Sequence, residues 1–185
     1  LILGGGMCFT FLKSQGYEIG ASLCEDEFLN TASKLLQSSD GKKIILPVDF
    51  GVSNDILSSS RVDKPLELIE STDIGVDIGS KSVALFNEII HTSNTIFWNG
   101  PMGVFENKSF EYGTREITKS VSQSNAYTVV GGGDSVSAIN KYSEIQNFNH
   151  ISTGGGASME LMEGKKLPGV NTVSYTHLRA HETAD

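Results

Sequence analysis

The sequence predicts an α/β fold: a doubly wound, Rossmann-like parallel sheet in a three-layer arrangement. Three observations carry this expectation. Short apolar runs alternate with amphipathic stretches at spacings that allow right-handed crossovers. The apolar runs are continuous, as expected of strands covered on both faces. Three glycine triplets, Gly4-Gly5-Gly6, Gly131-Gly132-Gly133 and Gly154-Gly155-Gly156, each stand between an apolar run and a helical stretch. Such junctions lie at the carboxyl edge of a parallel sheet, where α/β ligands bind.

Leu1 to Leu3 reads as the end of a buried strand, and Met7 to about Gly16 as a helix. From Ser22 to Ser38, Leu23, Phe28, Leu29, Ala32, Leu35 and Leu36 recur at near-helical spacing, with Ser22 and Glu25 matching a capping box. Ile44 to Val48 reads as the next strand, Asp49 to Lys64 as a long polar loop and Leu66 to Ile69 as a short extended piece. Ser80 to Ile90 is amphipathic at helical period. Thr95 to Trp98 then reads as a strand, Thr114 to Val121 as a helix and Tyr127 to Val130 as a strand. Asp134 to Tyr142 reads as a helix, His150 to Ser152 as a strand and Met159 to Glu163 as the last helix. Residues 1–170 are expected to form one domain.

Bulk properties narrow the function. The chain has 185 residues, 14 Lys+Arg against 22 Asp+Glu and a formal net charge of −8. That balance argues against a nucleic-acid partner and leaves room for a small phosphate ligand. Cys8 and Cys24 form no CxxC pair, so neither a disulfide scaffold nor a zinc site is expected, and a reducing, cytoplasmic setting is favoured. No apolar run is long enough for a transmembrane helix. The chain opens inside an apolar run at Leu1 and is expected to be a fragment of a longer protein, so any upstream targeting segment lies out of view.

The 20 glycines, set against 4 prolines, are the compositional anomaly. Glycine lets backbone N–H groups approach a ligand without a Cβ in the way, and a helix N-terminus adds free donors and positive potential. One triplet needs no more than a tight turn to explain it; three in equivalent places point to a phosphate-binding edge. Standard fingerprints are absent. G-x-G-x-x-G fails at Phe9, Val136 and Met159, and neither a P-loop nor a G-x-S-x-G elbow occurs. Asp134 falls in the first turn of its helix. Beside phosphates it would need a divalent cation, and Mg²⁺ takes one or two carboxylates plus phosphate oxygens; its position fits an ordinary N-cap equally well. Ser135 is a candidate hydroxyl donor to phosphate. Glu106, after Gly103-Val104-Phe105, is placed as a ribose acceptor or as a plain loop carboxylate. Trp98, Met102 and Phe105 suit core packing better than base stacking.

Together the loops resemble phosphoglycerate kinase. The similarity runs from Leu1 to about Val170 through Leu3-Gly4-Gly5-Gly6-Met7, Leu46-Pro47-Val48-Asp49, Gly75-Val76-Asp77-Ile78-Gly79, the segment Trp98 to Glu106, Gly131 to Ser135, His150 to Ser158 and Leu167-Pro168-Gly169, in that order. The resemblance implies the C-terminal nucleotide-binding domain of that glycolytic kinase. The family moves a phosphoryl group between 1,3-bisphosphoglycerate and Mg-ADP, giving 3-phosphoglycerate and Mg-ATP. It implies that Gly4 and Gly5 border the adenine pocket, that Gly75 and Glu106 contact the nucleotide, and that Asn99 and Pro101 lie near base and ribose. It further implies that Gly132, Gly133, Asp134 and Ser135 meet the phosphates with Mg²⁺ at Asp134, and that Gly154, Gly155 and Gly156 face the transferring phosphate as the catalytic loop.

Departures from the family pattern bound that reading. The N-terminal domain that binds the acidic substrate, and the Gly-Gly-Ala-Lys region with its phosphate-holding lysines, are not in this sequence. The chain alone is therefore expected to be an inactive kinase that retains weak ATP/ADP binding; a non-catalytic Mg-nucleotide-binding module is the alternative. The full-length protein is expected to be a monomer with no membrane partner. Residues 171–185, with His177 and His181 four apart, match nothing in the family and are expected to be a disordered or foreign tail. Asn107-Lys108-Ser109 matches a glycosylation acceptor and is expected to be coincidental.

Overall fold

The strand–helix alternation is realised as twelve principal elements in the computed structural model, which describes residues 1–152 and 154–165. In chain order they are α1 (Met7–Ser14), α2 (Leu29–Gln37), β1 (Asp49–Ser53), β2 (Val62–Pro65), β3 (Ile74–Ile78) and α3 (Ser80–Thr92). There follow β4 (Thr95–Asn99), α4 (Tyr112–Ser122), β5 (Tyr127–Gly131), α5 (Gly133–Tyr142), β6 (His150–Ser152) and α6 (Gly155–Met162). Leu167-Pro168-Gly169, the expected domain end at 170 and the tail with His177 and His181 lie outside the described residues.

The α/β class holds, with a parallel sheet flanked by helices. β4, β5 and β6 pair in parallel in that order. The register places Asn99 opposite Gly131, and Gly131 opposite Ser152. Three strand ends thus finish level, and the chain turns there into glycine. The Leu1 to Leu3 segment contributes an isolated parallel bridge between Ile2 and Ile45. Ile78, Phe86, Trp98, Val130 and Ile139 belong to one buried cluster joining the parallel strands to α3, α4 and α5. Full burial of each such side chain contributes about 1.5–3 kcal/mol.

The stretch from Asp49 to Lys64 departs from expectation. It is not a loop: β1 lies between β2 and β3 in a second, antiparallel sheet. All five residues of β1, Asp-Phe-Gly-Val-Ser, are buried, so no polar/apolar alternation marks it. Its polar members find partners inside the fold. The expected strand at Ile44 to Val48 is reduced to the single bridge at Ile45, and Leu66 to Leu68 is a 3₁₀ turn. Leu3, Phe9, Leu12, Phe50 and Val52 form a second core between α1 and this sheet. The capping box at Ser22 is not formed either. Ser22 Oγ instead accepts from Gly75 N–H at 2.8 Å, Glu25 N–H donates to Thr10, and the helix begins only at Leu29 after a 3₁₀ turn. A serine hydroxyl with a strand N–H within reach satisfies that buried donor, which outweighs a local cap.

Asp49 ties β1 to the start of α3. The residue preceding α3 is Gly79, which has no capping side chain. Asp49 reaches over from β1 instead: Oδ2 accepts from Lys81 N–H at 2.9 Å, and Oδ1 accepts from Ser82 N–H at 2.7 Å and from Ser82 Oγ–H at 2.6 Å. Ser82 Oγ in turn accepts from the N–H groups of Val48 and Asp49. Asp49→Ala would strand two helix donors in a site where Asp49 is 4% exposed. We expect a loss of about 2–4 kcal/mol in urea unfolding, from the lost cap and the unsatisfied groups. Asp49→Asn, which keeps one acceptor oxygen, should lose roughly half as much.

Candidate functional site

The level strand ends bring three loops into contact. Gly132, at φ 92°, precedes α5, and its conformation is one that L side chains rarely adopt. Gly155, at the start of α6, packs so closely that a Cβ there would lie 2.7 Å from Gly132 Cα and 2.6 Å from Asn99 Oδ1. Gly132 N–H donates to Ser152 O at 3.0 Å, and Gly100 N–H donates to Ser135 Oγ at 2.7 Å. Asn99, expected near base and ribose, is therefore adjacent to Gly132, which with Ser135 was expected at the nucleotide phosphates, and to Gly155, expected at the transferring phosphate. No side chain caps α5 at Gly132, so its first-turn N–H groups have no side-chain acceptor from that residue.

A second contact set continues from the same β4 loop. Gly5 N–H donates to Met102 O at 3.2 Å, and a Cβ on Gly5 would lie 2.9 Å from Pro101 O. Gly4 lies against the Met102 side chain. Val104 N–H donates to Val76 O at 2.8 Å, tying this loop to β3 beside Gly75, which sits on the Phe9 ring. Thr114 Oγ1 accepts from Met102 N–H at 3.1 Å and fixes the loop to α4. The segment from Asn99 to Glu106 thus touches the Gly4-Gly5 turn and β3 at one end and the Gly132 and Gly155 turns at the other.

Two expectations about individual side chains change. Ser135 is fully buried, and its hydroxyl accepts from Gly100 N–H. It ties the two loops together, and this replaces its expected part as an exposed donor to phosphate. Asp134 is exposed in the first turn of α5, and the side-chain cap expected as its alternative role is not formed there. Trp98 and Phe105 are core residues, 5% and 4% exposed, and Trp98 Nε1–H donates to Gly100 O at 2.7 Å. Asn107 is fully engaged: Nδ2 donates to Ile56 O and Ser58 O, and Oδ1 accepts from Ser109 N–H. Its amide is committed to the fold, consistent with a coincidental glycosylation match.

No cluster of three or more His, Cys, Asp or Glu side chains able to hold a metal occurs among the described residues. The exposed carboxylate of Asp134, unpaired among the described residues and beside uncapped backbone donors, nevertheless fits Mg²⁺, an ion that protein sites commonly hold through one or two carboxylates together with substrate phosphates. The glycine turns carry no Lys or Arg, so their attraction for anions comes from backbone N–H groups and helix N-termini. A separate hollow of about 420 Å³, lined by Arg61, Tyr112 and Arg115, contains none of these loops.

Two networks were not foreseen. Asp77 of β3 is buried, with Oδ2 accepting from Arg61 Nη1–H and from Gly113 N–H, each at 2.6 Å. Glu111 receives Lys141 and Tyr142 from α5, at 3.1 Å each. Burial alone would push the Glu111 carboxyl up, but hydrogen bonds from Lys141 and Tyr142 hold it below the usual range. In the sequence, Asp77 lay within a family-like motif, and nothing local singled out Lys141.

Comparison with known proteins agrees with this geometry. The family model for phosphoglycerate kinase matches residues 1–165. A phosphoglycerate kinase from Salinispora tropica is 49% identical over 172 residues, 92% of this chain and 43% of that protein. One from Finegoldia magna is 48% identical over 177 residues, covering 94% of this chain and 45% of that protein. The solved phosphoglycerate kinase of Coxiella burnetii superposes with a TM-score of 0.88 at 39% identity, covering 95% of this chain and 46% of that one. That of Pyrococcus horikoshii gives 0.82 at 30% identity, with 95% and 45% covered. The chain spans less than half the length of these relatives. No described helix is long and apolar enough to cross a membrane. With the family model matching most of the chain and the glycine turns meeting at one sheet edge, this chain belongs to the phosphoglycerate kinase family.

Proposed function

We propose that the chain is the nucleotide-binding part of a phosphoglycerate kinase. In the complete enzyme it would serve phosphoryl transfer between 1,3-bisphosphoglycerate and Mg-ADP. The observation that carries this reading is the meeting of Asn99, Gly132 and Gly155 at level strand ends, with the exposed carboxylate of Asp134 at the adjoining helix start.

Gly4 and Gly5, with Gly75, border the adenine side. Asn99 and Pro101 face base and ribose, and Glu106 accepts from the ribose hydroxyls. Gly132, whose own N–H is held by Ser152 O, turns the chain so that the backbone N–H groups from Gly133 onward meet the nucleotide phosphates, while Ser135 holds their loop against Gly100. Asp134 would hold Mg²⁺, which neutralises phosphate charge when bound. In the loop Gly154-Gly155-Gly156, Gly154 N–H is held by Ser152 Oγ at 3.3 Å, and Gly155 and Gly156 offer N–H groups at the α6 N-terminus to the transferring phosphoryl oxygens, where preorganised donors stabilise developing charge. Phosphoryl transfer also needs both substrates positioned and cations on the moving group. The glycine turns hold no cation, so the chain alone binds nucleotide without turnover. A resident 3-phosphoglycerate or 1,3-bisphosphoglycerate site belongs to a second domain.

Calorimetric titration of the full chain with ADP, with Mg²⁺ and with EDTA, tests this. Binding at millimolar nucleotide, strengthened by Mg²⁺, is expected; no binding sinks the reading. Asp134→Ala should remove the Mg²⁺ gain, an effect of about 10–100-fold for one charge-assisted contact, while leaving metal-free ADP binding in place. Equal Mg²⁺ gain in wild type and variant would remove Asp134 from the metal site.

A further inference from the structure

Glu106 stands between two pinned residues. On its N-terminal side, the Phe105 carbonyl accepts from Lys141 Nζ–H at 2.8 Å and has Tyr142 Oη at 3.3 Å. Lys141 also pairs with Glu111 at 3.1 Å, and its ammonium lies 5.8 Å from the Phe105 ring centroid and 5.1 Å from that of Tyr142. The Phe105 ring meets Tyr142 edge-on at 6.4 Å. On its C-terminal side, Asn107 is bound by its amide to Ile56 O and Ser58 O, and its backbone N–H donates to Val104 O. Glu106 itself is exposed, and its carboxylate takes no hydrogen bond or ion pair among the described residues.

We propose that Lys141 and Tyr142 are positioning residues for Glu106. The Phe105 carbonyl belongs to the peptide plane that ends at Glu106 Cα. Fixing that plane fixes the direction in which Glu106 leaves the loop, because a peptide unit is rigid and only two soft dihedrals per residue remain. The rest of the loop is anchored by Asn107, so little freedom is left on either side. A carboxylate presented in this way loses less conformational entropy when it accepts from paired hydroxyls. The clamp is also tied to the phosphate end. Lys141 and Tyr142 close α5, and Asp134 opens it, so one helix of 10 residues sets the separation between the two. This inference rests on the nucleotide reading above and adds to it a determinant of ribose recognition outside the glycine turns.

The test is calorimetry of the full chain with Mg-ADP and with Mg-2′,3′-dideoxy-ADP, alongside thermal unfolding by circular dichroism. Wild type should prefer ADP by about tenfold or more, since a site built to bond hydroxyls rejects the analogue lacking them. Glu106→Gln should lower that ratio. Lys141→Met should lower it to within about twofold, and Lys141→Arg, which still reaches a carbonyl, should restore most of it. A folded Lys141→Met protein with the wild-type ratio overturns the inference, including where both ligands weaken equally, because that pattern marks a purely structural role. If Lys141→Met does not fold, Tyr142→Phe decides: it removes one oxygen and little packing, and an unchanged ratio overturns the inference. If wild type binds neither ligand, the nucleotide reading itself fails; binding of ADP with a wild-type ratio near one leaves that reading intact and overturns only this inference.

Discussion

Asp77→Ala should lower unfolding stability by about 3–5 kcal/mol at neutral pH, the cost of breaking a buried ion pair by removing one partner. The Asp77 side chain is 0% exposed and that of Arg61 12%. Arg61 Nη1 donates to Asp77, Nη2 to Ile78 O, and Nε to Asp63. Without Asp77 the guanidinium keeps only the half-exposed Asp63 as a counter-charge, and Gly113 N–H loses its acceptor. Those contacts join β3 to β2 and to the start of α4, so the loss reaches both cores.

The same carboxylate should give stability an unusual pH dependence. Burial pushes the Asp77 carboxyl up to about 6, against the pull of the Gly113 N–H and of Arg61. Oδ1 has no partner among the described residues, so a proton can sit there without displacing a bond. With the folded value raised, the stabilising contribution is fully present below the ordinary aspartate value near 4 and is lost as pH rises through about 6. The change is on the order of 3 kcal/mol, for roughly two units of separation. Asp26, Asp73, Glu111 and Glu116 are all held below their ordinary values and act in the opposite sense at lower pH. Urea midpoints of wild type and Asp77→Asn from pH 4 to 8 isolate the Asp77 part by subtraction. Wild type should lose stability relative to the variant between pH 4 and 6, and a flat difference would rule the titration out. The ion pair is thus weak support at neutral pH, yet costly to break.

What could be read from the sequence was what a local pattern expresses. Ser80 to Ile90 and Tyr127 to Val130 carry apolar runs of the right period and length, and α3 and β5 form close to those bounds. The second and third glycine triplets sit at strand-to-helix turns, where Gly132 adopts a positive φ and Gly155 makes a contact that leaves no room for a Cβ; the first precedes α1 after the single bridge at Ile2. The antiparallel sheet was hidden for a physical reason. β1 is buried on both faces yet contains Asp49 and Ser53, and β2 is largely exposed, so neither displays a two-residue period. Their polar groups are satisfied by residues far along the chain, such as Ser82, some thirty positions from Asp49. The site shows the same division. The positions of Gly132 and Asp134 at a helix start were legible from their turn and Asn99 entered through the family resemblance, whereas the burial of Ser135 and the Lys141 clamp depend on which helix faces which loop. Only tertiary packing decides that.

Gly155→Ala should disable the site while leaving most of the fold in place. The added Cβ would stand 2.7 Å from Gly132 Cα and 2.9 Å from Gly132 N, and both are backbone atoms. Asn99 Oδ1, at 2.6 Å, belongs to an exposed side chain and can swing aside; the backbone of Gly132 cannot, because its amide is bound to Ser152 O. Relief therefore comes from moving the α6 N-terminus away from the α5 turn by the better part of an ångström. Overpacking of this kind costs about 1–3 kcal/mol. The larger consequence falls on binding, since the N–H groups proposed to meet the phosphates would no longer converge, and a misplacement of about 1 Å can cost on the order of 100-fold. Gly156→Ala provides the contrast in stability: among the described residues a Cβ there meets nothing within 4 Å. Replacing a helical glycine by alanine in open space should raise stability by roughly 0.5–1 kcal/mol. Urea unfolding of the two variants, with Mg-ADP calorimetry on Gly155→Ala, checks the argument. Equal stability of the pair, or wild-type nucleotide affinity in Gly155→Ala, would mean that the contact between the two glycine turns does not hold the site together.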